Sequence, residues 1–174
     1  MASLSQVEKD VQADYPEEKI QEFLDVAQEL VAQAAEKVKA ALSNRDKKVM
    51  EKSSATDLVT ETDKATEKLL VGGLSAKFPG HKFIGEEDVA ENKSNNVGDV
   101  TDDPTWIIDP IDGTTNFVHG HPMVCISVGL VIKRVPWIGI VSVPMTNNVY
   151  HAVRFKGAYL NGEKIQVISF LNLL

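Results

Sequence analysis

The sequence predicts an α+β fold in which helices come first and an antiparallel sheet follows. Helical periodicity of apolar residues is confined to the part of the chain before Pro79, and short β-rich runs separated by turn residues fill the part after residue 82. Because no helices alternate with these strands, a doubly wound parallel sheet is not expected. Since no repeat or linker divides the chain, we expect one domain over residues 1–174.

The first predicted element is one long amphipathic helix that ends near residue 42, after a polar lead-in. Asp14 and Glu17 flank Pro16, and this arrangement is typical of a capped helix start. Apolar residues then recur at helical spacing at Ile20, Phe23, Leu24, Ala27, Leu30, Val31, Ala34, Val38, Ala41 and Leu42. The charged residues of the opposite face indicate a solvated surface without a specific function.

Residues 45–60 are predicted to form a polar loop or an irregular hairpin, and a second helix follows at about residues 63–78. Its inward positions are Ala65, Leu69, Leu70, Leu74 and Phe78, and Pro79-Gly80 ends it. Each glycine of Gly72-Gly73 costs a helix roughly 1 kcal/mol relative to alanine. We therefore expect the helix to break there or to pack closely against a neighbour.

Six β-like runs follow, at residues 82–84, 106–108, 123–132, 137–143, 149–155 and 158–160. Turn-rich segments separate the last four, which indicates an antiparallel meander. Residues 91–103 are polar and are predicted to form a surface loop.

Charge and hydropathy limit the partners of the chain. The net charge of −7 and the isoelectric point near 5.1 give no nonspecific attraction to nucleic acid or anionic lipid. No apolar run approaches the ~20 residues that a membrane-spanning helix needs. Cys125 is the only cysteine, so no internal disulfide can form, and we expect a cytoplasmic protein.

Acidic residues directly follow two of the predicted strands. Glu86 and Glu87 come after the apolar pair 83–84, and Asp109 and Asp112 come after the apolar run 106–108. Carboxylates gathered at one rim repel and raise each other's pKa unless a cation neutralises them. Oxygen ligands without His or Cys favour Mg²⁺ over zinc.

The spacing within the second motif supports a shared cation and phosphate site. Pro110 fixes φ and removes one backbone donor, so the two aspartates and a backbone carbonyl can converge. Gly113 permits close backbone approach, and a helix that begins at Thr114 would direct N–H groups toward an anion. Either motif alone is more often a turn or a solvated loop, but their joint occurrence favours a site.

Three other reactive side chains near these motifs have simpler interpretations. His119 and His121 are more typical of structural residues than of metal ligands in this oxygen-rich context. Cys125, between Val124 and Ile126, is predicted to be a small core residue because nothing near it would generate a thiolate.

The run 106–120 (WIIDPIDGTTNFVHG) resembles the inositol monophosphatase family of Mg²⁺-dependent, lithium-sensitive phosphomonoesterases. Supporting blocks lie in the expected order at 52–54 (KSS), 57–63 (DLVTETD), 83–87 (FIGEE) and 157–162 (GAYLNG). The resemblance extends over about residues 18–167. It implies the layered αβαβα sandwich of the sugar phosphatases, of which this chain would hold only the N-terminal helices and an antiparallel sheet.

The resemblance also implies a set of metal ligands. Glu86, Asp109 and the carbonyl oxygen of Ile111 would hold a first Mg²⁺, and Asp109 with Asp112 would hold a second. Glu87 would support the metal-bound waters or assist a third ion.

Catalytic and substrate roles follow from the same resemblance. Glu86 and Thr114 would position and deprotonate the attacking water, with Asp63 polarising the Thr114 hydroxyl. Asp112 and the N–H groups of Gly113 and Thr114 would bind the substrate, an inositol phosphate, and Lys52 would add positive charge. A homodimer is expected.

The family's pattern continues into a second α/β half that these 174 residues do not contain. We therefore expect a C-terminally truncated member whose sheet exposes a face or an edge. Two alternatives to the phosphatase remain open at this stage. One is a catalytically impaired, Mg²⁺-binding or dimerising module, and the other is a related sugar or nucleotide bisphosphatase.

Overall fold

The computed structural model describes residues 3–43, 49–51, 58–86 and 100–166. Within these ranges the helices are α1 (Leu4–Asp14), α2 (Glu17–Leu42), α3 (Glu61–Lys77) and α4 (Thr114–Val118). The strands are β1 (Val49–Glu51), β2 (Leu58–Thr60), β3 (Lys82–Gly85), β4 (Thr105–Asp112), β5 (Cys125–Ile132), β6 (Val135–Val143), β7 (Asn148–Val153), β8 (Gly157–Leu160) and β9 (Glu163–Ile165), and a 3₁₀ turn spans Pro144–Thr146.

Seven strands form one sheet in the order β3-β4-β5-β6-β7-β8-β9, and β1 pairs with β2 in a separate antiparallel ribbon. The predicted meander is confirmed from β5 to β8, and β9 extends it by a strand that the sequence pattern did not predict. The pairing of β3 with β4 is parallel, so the sheet is mixed. Residues 86–104 join these two strands, a length that permits a parallel crossover.

Helix α2 buries the face that its periodicity predicts. Its buried residues are Ile20, Phe23, Leu24, Ala27, Val31, Ala34, Val38 and Leu42. The predicted capping arrangement was wrong, because Pro16 is the N-cap and no side chain caps the helix. Asp14 ends the preceding helix and pairs with Lys133 at 2.7 Å, and Glu17 pairs with Lys156 at 2.7 Å.

The polar lead-in forms helix α1, which the sequence analysis missed. The Ser3 side chain caps it by accepting from the backbone N–H of Gln6 at 3.4 Å. Val11 is fully buried, and Glu8 forms an ion pair with Arg154 beyond β7. With only Val11 buried along the helix, its periodicity was too weak to predict it.

Helix α3 presents an unusual buried face, formed by Asp63, Thr66, Glu67, Leu70 and Leu74. The prediction that Ala65 points inward was wrong, because the stripe begins with polar residues and Ala65 is exposed. The helix continues through both glycines. A β-carbon on Gly73 would lie 2.4 Å from Leu30 Cδ2, so the glycine permits close packing of α3 on α2.

The two faces of the large sheet differ in burial. On the helix-covered face, Trp106, Leu130, Ile138 and Val153 lie in register across four strands and are buried. On the opposite face, side chains including Ile107 (40% exposed) remain open to solvent, which is the exposed face that the sequence analysis expected. In the described part of the chain, no helix is both long and apolar enough to cross a membrane.

Candidate functional site

The parallel pairing of β3 and β4 brings two of the predicted site carboxylates together. Gly85, the last residue of β3, pairs with Ile108, so Glu86 follows β3 directly beside Asp109. The prediction that Asp109 and Asp112 come after their strand was wrong, because β4 continues to Asp112 and Asp109 still pairs with Ser127. The Asp109 carboxyl group is close enough to Glu86 to share a hydrogen bond with it and also accepts one from the backbone N–H of Ile111. Its Oδ1 atom is buried and has no hydrogen-bond partner among the described residues.

The electrostatics of Asp109 reflect this crowding. Burial raises its pKa to about 7, with further contributions from the charge and hydrogen bond of Glu86 and the charge of Asp112. The Ile111 N–H opposes the shift but does not cancel it. Without a cation, one carboxyl group of this cluster therefore holds a proton near neutral pH.

A β-bulge places Asp112 at the rim of the same site. Asp109 pairs with Ser127 and Asp112 with Cys125, so β4 uses one residue more than β5 between these points. Pro110 lies inside the bulge, where its missing N–H leaves no donor unpaired. Asp112 is exposed and accepts a hydrogen bond from Cys125 Sγ at 3.5 Å.

Cys125 is half-buried at this rim, so the prediction that it is a core residue was wrong. Its side chain faces Asp112, and the strand register that causes this contact cannot be deduced from residue type. Burial, together with the charge of Asp112 and its hydrogen bond, raises the pKa of the thiol to about 11. The expectation that Cys125 is no thiolate is confirmed.

Thr114 and Asp63 form a second pair within the site. The Thr114 hydroxyl lies 3.3 Å from Asp63 Oδ1 and 3.1 Å from the Ile111 carbonyl oxygen, and its single hydrogen is shared between these two acceptors. Asp63 is fully buried, and this burial raises its pKa, while hydrogen bonds from Thr60 and Thr114 oppose the rise. The contact links α3 to the loop that holds Asp109 and Asp112.

Thr60 supports this pair and was missed by the sequence analysis. It is the N-cap of α3, and its backbone N–H and hydroxyl both donate to Asp63 Oδ2. The spacing Thr60-x-x-Asp63 is a capping-box pattern and could have indicated the contact.

The turn after Asp112 depends on Gly113. This residue adopts φ 92° and ψ 39°, a left-handed conformation that favours glycine, and a β-carbon there would approach Met123 O at 3.2 Å. Phe117 of α4 is fully buried, and Asn116 Nδ2 donates to Met123 O at 2.8 Å. These contacts fix the loop that carries Thr114.

The remaining residues considered in the sequence lie either outside the described residues or at exposed positions. Lys52 and Glu87 fall outside the described residues. His119 and His121 are exposed, and His121 Nδ1 accepts a hydrogen bond from the Met123 N–H at 3.3 Å, in line with a structural residue.

The donor atoms at this site fit a hard divalent cation by their chemistry. They are oxygens, and one of them is a buried carboxylate oxygen that has no hydrogen-bond partner in the described part of the chain. Burial, followed by the charges of Glu86 and Asp112, raises the pKa of Asp109. Within residues 3–43, 49–51, 58–86 and 100–166, no three His, Cys, Asp or Glu side chains form a ready-made metal cluster. The candidate site is therefore a carboxylate pair with oxygen donors around it.

Comparison of the sequence with known proteins gives consistent matches. The family model described as the inositol monophosphatase family matches residues 19–170. Inositol monophosphatase 1 of Bos taurus is 48% identical over 147 residues, which are 84% of this chain and 52% of that protein. Inositol monophosphatase 2 of Solanum lycopersicum is 47% identical over 150 residues, 86% of this chain and 55% of that protein. The chain thus spans about half the length of the curated relatives it matches.

Solved structures match the fold in the same way. An IMPase of Thermotoga maritima superimposes with a TM-score of 0.72 at 32% identity, covering 83% of this chain and 53% of that one. An IMPase/NADP phosphatase complexed with Mg²⁺ and phosphate gives a TM-score of 0.72 at 25% identity, covering 84% of this chain and 53% of that one. The α+β class is confirmed by these neighbours.

Proposed function

The chain belongs to the inositol monophosphatase family, and we propose from that membership that it acts as a Mg²⁺-dependent phosphomonoesterase. The reaction would hydrolyse inositol monophosphate to inositol and inorganic phosphate. The proposal rests on the buried Oδ1 of Asp109, beside Glu86, for which the described residues supply no hydrogen-bond partner. Next to it lies the hydrogen-bonded pair of Thr114 and Asp63.

The proposed metal ligands are Glu86, Asp109 and the carbonyl oxygen of Ile111 for a first Mg²⁺, and Asp109 with Asp112 for a second. Glu87 would support the metal-bound waters or a third ion. When bound, Mg²⁺ neutralises these carboxylates and the charge that develops on the phosphoryl oxygens. The relative complexed with Mg²⁺ and phosphate supports this part of the proposal, and we propose sensitivity to lithium as well.

Three residues of this chain are proposed to orient and deprotonate the attacking water. Asp63 accepts a hydrogen bond from the Thr114 hydroxyl, so the lone pairs of the Thr114 oxygen can accept from a water molecule and orient it. As the water oxygen bonds to phosphorus, Glu86 takes its proton. The bond between phosphorus and the ester oxygen breaks, and the leaving alkoxide takes a proton from solvent.

Substrate binding is proposed for the loop that begins at Asp112. The backbone N–H groups of Gly113 and Thr114 would donate to phosphoryl oxygens, which is the preorganised stabilisation that phosphoryl transfer demands. Asp112 would accept from a substrate hydroxyl, and Lys52 would add positive charge.

The identity of the phosphomonoester is supported by the names of the curated relatives and by a related structure described as bound to inositol monophosphate. A second candidate, a nucleotide phosphatase, is favoured by the relative described as an IMPase/NADP phosphatase. A third, a Mg²⁺-binding module without turnover, is favoured by the exposed sheet face around Ile107. We further propose a cytoplasmic homodimer.

The experiment that tests these candidates is phosphate release by the purified chain. We expect release from inositol 1-phosphate that requires Mg²⁺ and is inhibited by Li⁺. Faster release from NADP than from inositol 1-phosphate would favour the nucleotide phosphatase. Calorimetric Mg²⁺ binding without release from either substrate would favour the module.

A further inference from the structure

The hydrogen bonds around Asp63 divide its two carboxylate oxygens between two tasks. Oδ2 accepts from both the backbone N–H of Thr60, at 3.0 Å, and the Thr60 hydroxyl. The Asp63 N–H in turn donates to Thr60 Oγ1 at 3.3 Å. Oδ1 accepts from the Thr114 hydroxyl at 3.3 Å. Thr60 therefore holds one oxygen and leaves the other to Thr114.

This arrangement goes beyond a helix cap. A capping box satisfies the first N–H groups of a helix, and a Glu or Gln usually fills its third position. Here the third position is Asp63, whose side chain is shorter and whose second oxygen reaches the loop before α4. The cap of α3 and the hydrogen bond to Thr114 thus share one carboxylate.

Burial makes the shared carboxylate dependent on Thr60. Thr60 is 1% exposed and Asp63 is 0% exposed, so water cannot replace a lost donor at Oδ2. The Thr60 hydrogen bonds also lower the pKa of Asp63 against the effect of burial. An ionised Asp63 can only accept, so its charge favours it over the neutral Ile111 carbonyl oxygen, 3.1 Å away, as acceptor of the single Thr114 proton.

We propose that Thr60 is a positioning residue of the phosphatase reaction, because it fixes Asp63 so that one carboxylate oxygen faces the Thr114 hydroxyl. Thr60 acts through Asp63 and has no role in contacting substrate. The inference rests on the proposed function, since it assigns Thr60 to the same site.

The test compares three substitutions at two threonines, Thr60 at the N-cap of α3 and Thr66 within that helix. Thr60→Val deletes the hydroxyl donor and leaves the backbone N–H, Thr60→Ser keeps both donors, and Thr66→Val is the matched control. Thr66 is fully buried on α3, and its hydroxyl has no hydrogen-bond partner in the described residues. We expect Thr60→Val to lower kcat by about tenfold or more with KM little changed. Thr60→Ser should restore most of the loss, and Thr66→Val should leave kcat unchanged.

A second variant covers the case in which Thr60→Val does not fold. A second readout covers the case in which the chain does not turn over substrate. Thr60→Gly removes the donor, and glycine is an acceptable N-cap, so it replaces the valine variant if that variant does not fold. The ¹³C methyl resonance of Thr114 reports its hydrogen bond in the folded chain whether or not turnover occurs. It should shift in Thr60→Val and stay in place in Thr66→Val.

The outcomes separate the inference from the proposed function. Wild-type kcat in a folded Thr60→Val or Thr60→Gly variant, or an unshifted Thr114 resonance, would overturn the role of Thr60 alone. Absence of Mg²⁺-dependent release by the wild type would overturn the proposed function and with it a positioning role in that reaction. A Thr114 resonance that still shifts would then leave Thr60 as a structural support of Thr114.

Discussion

The α-carbon of Gly85 lies against the carboxyl group of Glu67. A β-carbon added to Gly85 would come within 2.5 Å of both carboxyl oxygens. Glu67 is 4% exposed on α3, and Gly85 is the last residue of β3, directly before Glu86. The contact therefore lies one residue before Glu86, which the pairing of β3 with β4 brings beside Asp109.

Gly85→Ala should destabilise the chain, because the added methyl group would displace the buried carboxyl group of Glu67 from its present position. We expect a loss of about 1–3 kcal/mol in the free energy of unfolding, the usual cost of overpacking. Urea denaturation measures it. The control is Gly139→Ala in β6, where no atom of the described residues lies within 4 Å of the added β-carbon. Equal stability of the two variants would contradict the close contact at Gly85.

Asp109→Asn should nearly abolish phosphate release, because the proposal gives Asp109 to both ions. Release at the wild-type rate would contradict that assignment. Asp25→Asn, at an exposed position of α2, is the control and should keep full activity. Both variants are measured in the same Mg²⁺-dependent assay.

Asp109→Asn should also raise the melting temperature of the Mg²⁺-free chain at pH 8. The pKa of Asp109 is raised to about 7 in the folded chain, against ~3.9 for an unfolded aspartate. Between these values the folded state holds a proton that the unfolded state has lost, so stability falls as pH rises. Melting curves in chelator should show Asp109→Asn above wild type at pH 8, and the gap should close toward pH 4.

His81 should make the chain less stable as pH falls below about 6.5. Its ring stacks on Phe78, and its Nδ1 accepts a hydrogen bond from Trp106 Nε1 at 3.0 Å. Burial, with the charge of Lys19, lowers its pKa, so the unfolded state takes up a proton before the folded state does. This contribution is present above the unfolded pKa and is lost as pH falls.

The measurement is the melting temperature between pH 8 and pH 5 in chelator. His81→Gln should lose the destabilisation at low pH, whereas His119→Gln, at an exposed position, should follow the wild type. Asp109 contributes with the opposite sign in this range and is present in all three chains, so the difference between variants isolates His81. A His81→Gln curve parallel to the wild type would contradict the assignment.

The sequence predicted the elements whose apolar pattern is strong. The face of α2 from Ile20 to Leu42 and the meander from β5 to β8 follow from periods of 3.6 and 2 residues. Helix α1 was missed because its stability comes from the burial of Val11 and the ion pair between Glu8 and Arg154. These are tertiary contacts, which residue pattern does not report.

The candidate site was likewise predictable only in part. The proximity of Glu86 and Asp109 was predictable because each closely follows an apolar run in the sequence. The parallel pairing of β3 with β4, and the continuation of β4 to Asp112, were not predictable. The contact of Cys125 with Asp112 depends on a one-residue bulge in β4. A bulge changes which side chains face each other without leaving a clear trace in composition.

The Cys125 thiol should react slowly with a disulfide reagent while the chain is folded. The thiolate is the reactive form, and the pKa is raised to about 11 by burial and by Asp112, against ~8.5 in an unfolded chain. At pH 8 the thiolate fraction is then on the order of 100-fold smaller in the folded chain.

Asp112→Asn tests the electrostatic part of this shift, because it removes the charge and keeps the shape of the side chain. We expect faster reaction than in the wild type but slower reaction than in urea, since burial still raises the pKa. Asp102→Asn, an exposed aspartate before the other end of β4, should react like the wild type. The rate of absorbance change with the reagent at pH 8 is measured for four samples. They are the folded wild type, the wild type in urea, and the folded Asp112→Asn and Asp102→Asn variants. A folded wild-type thiol that reacts as fast as the unfolded one would contradict both the burial of Cys125 and its contact with Asp112.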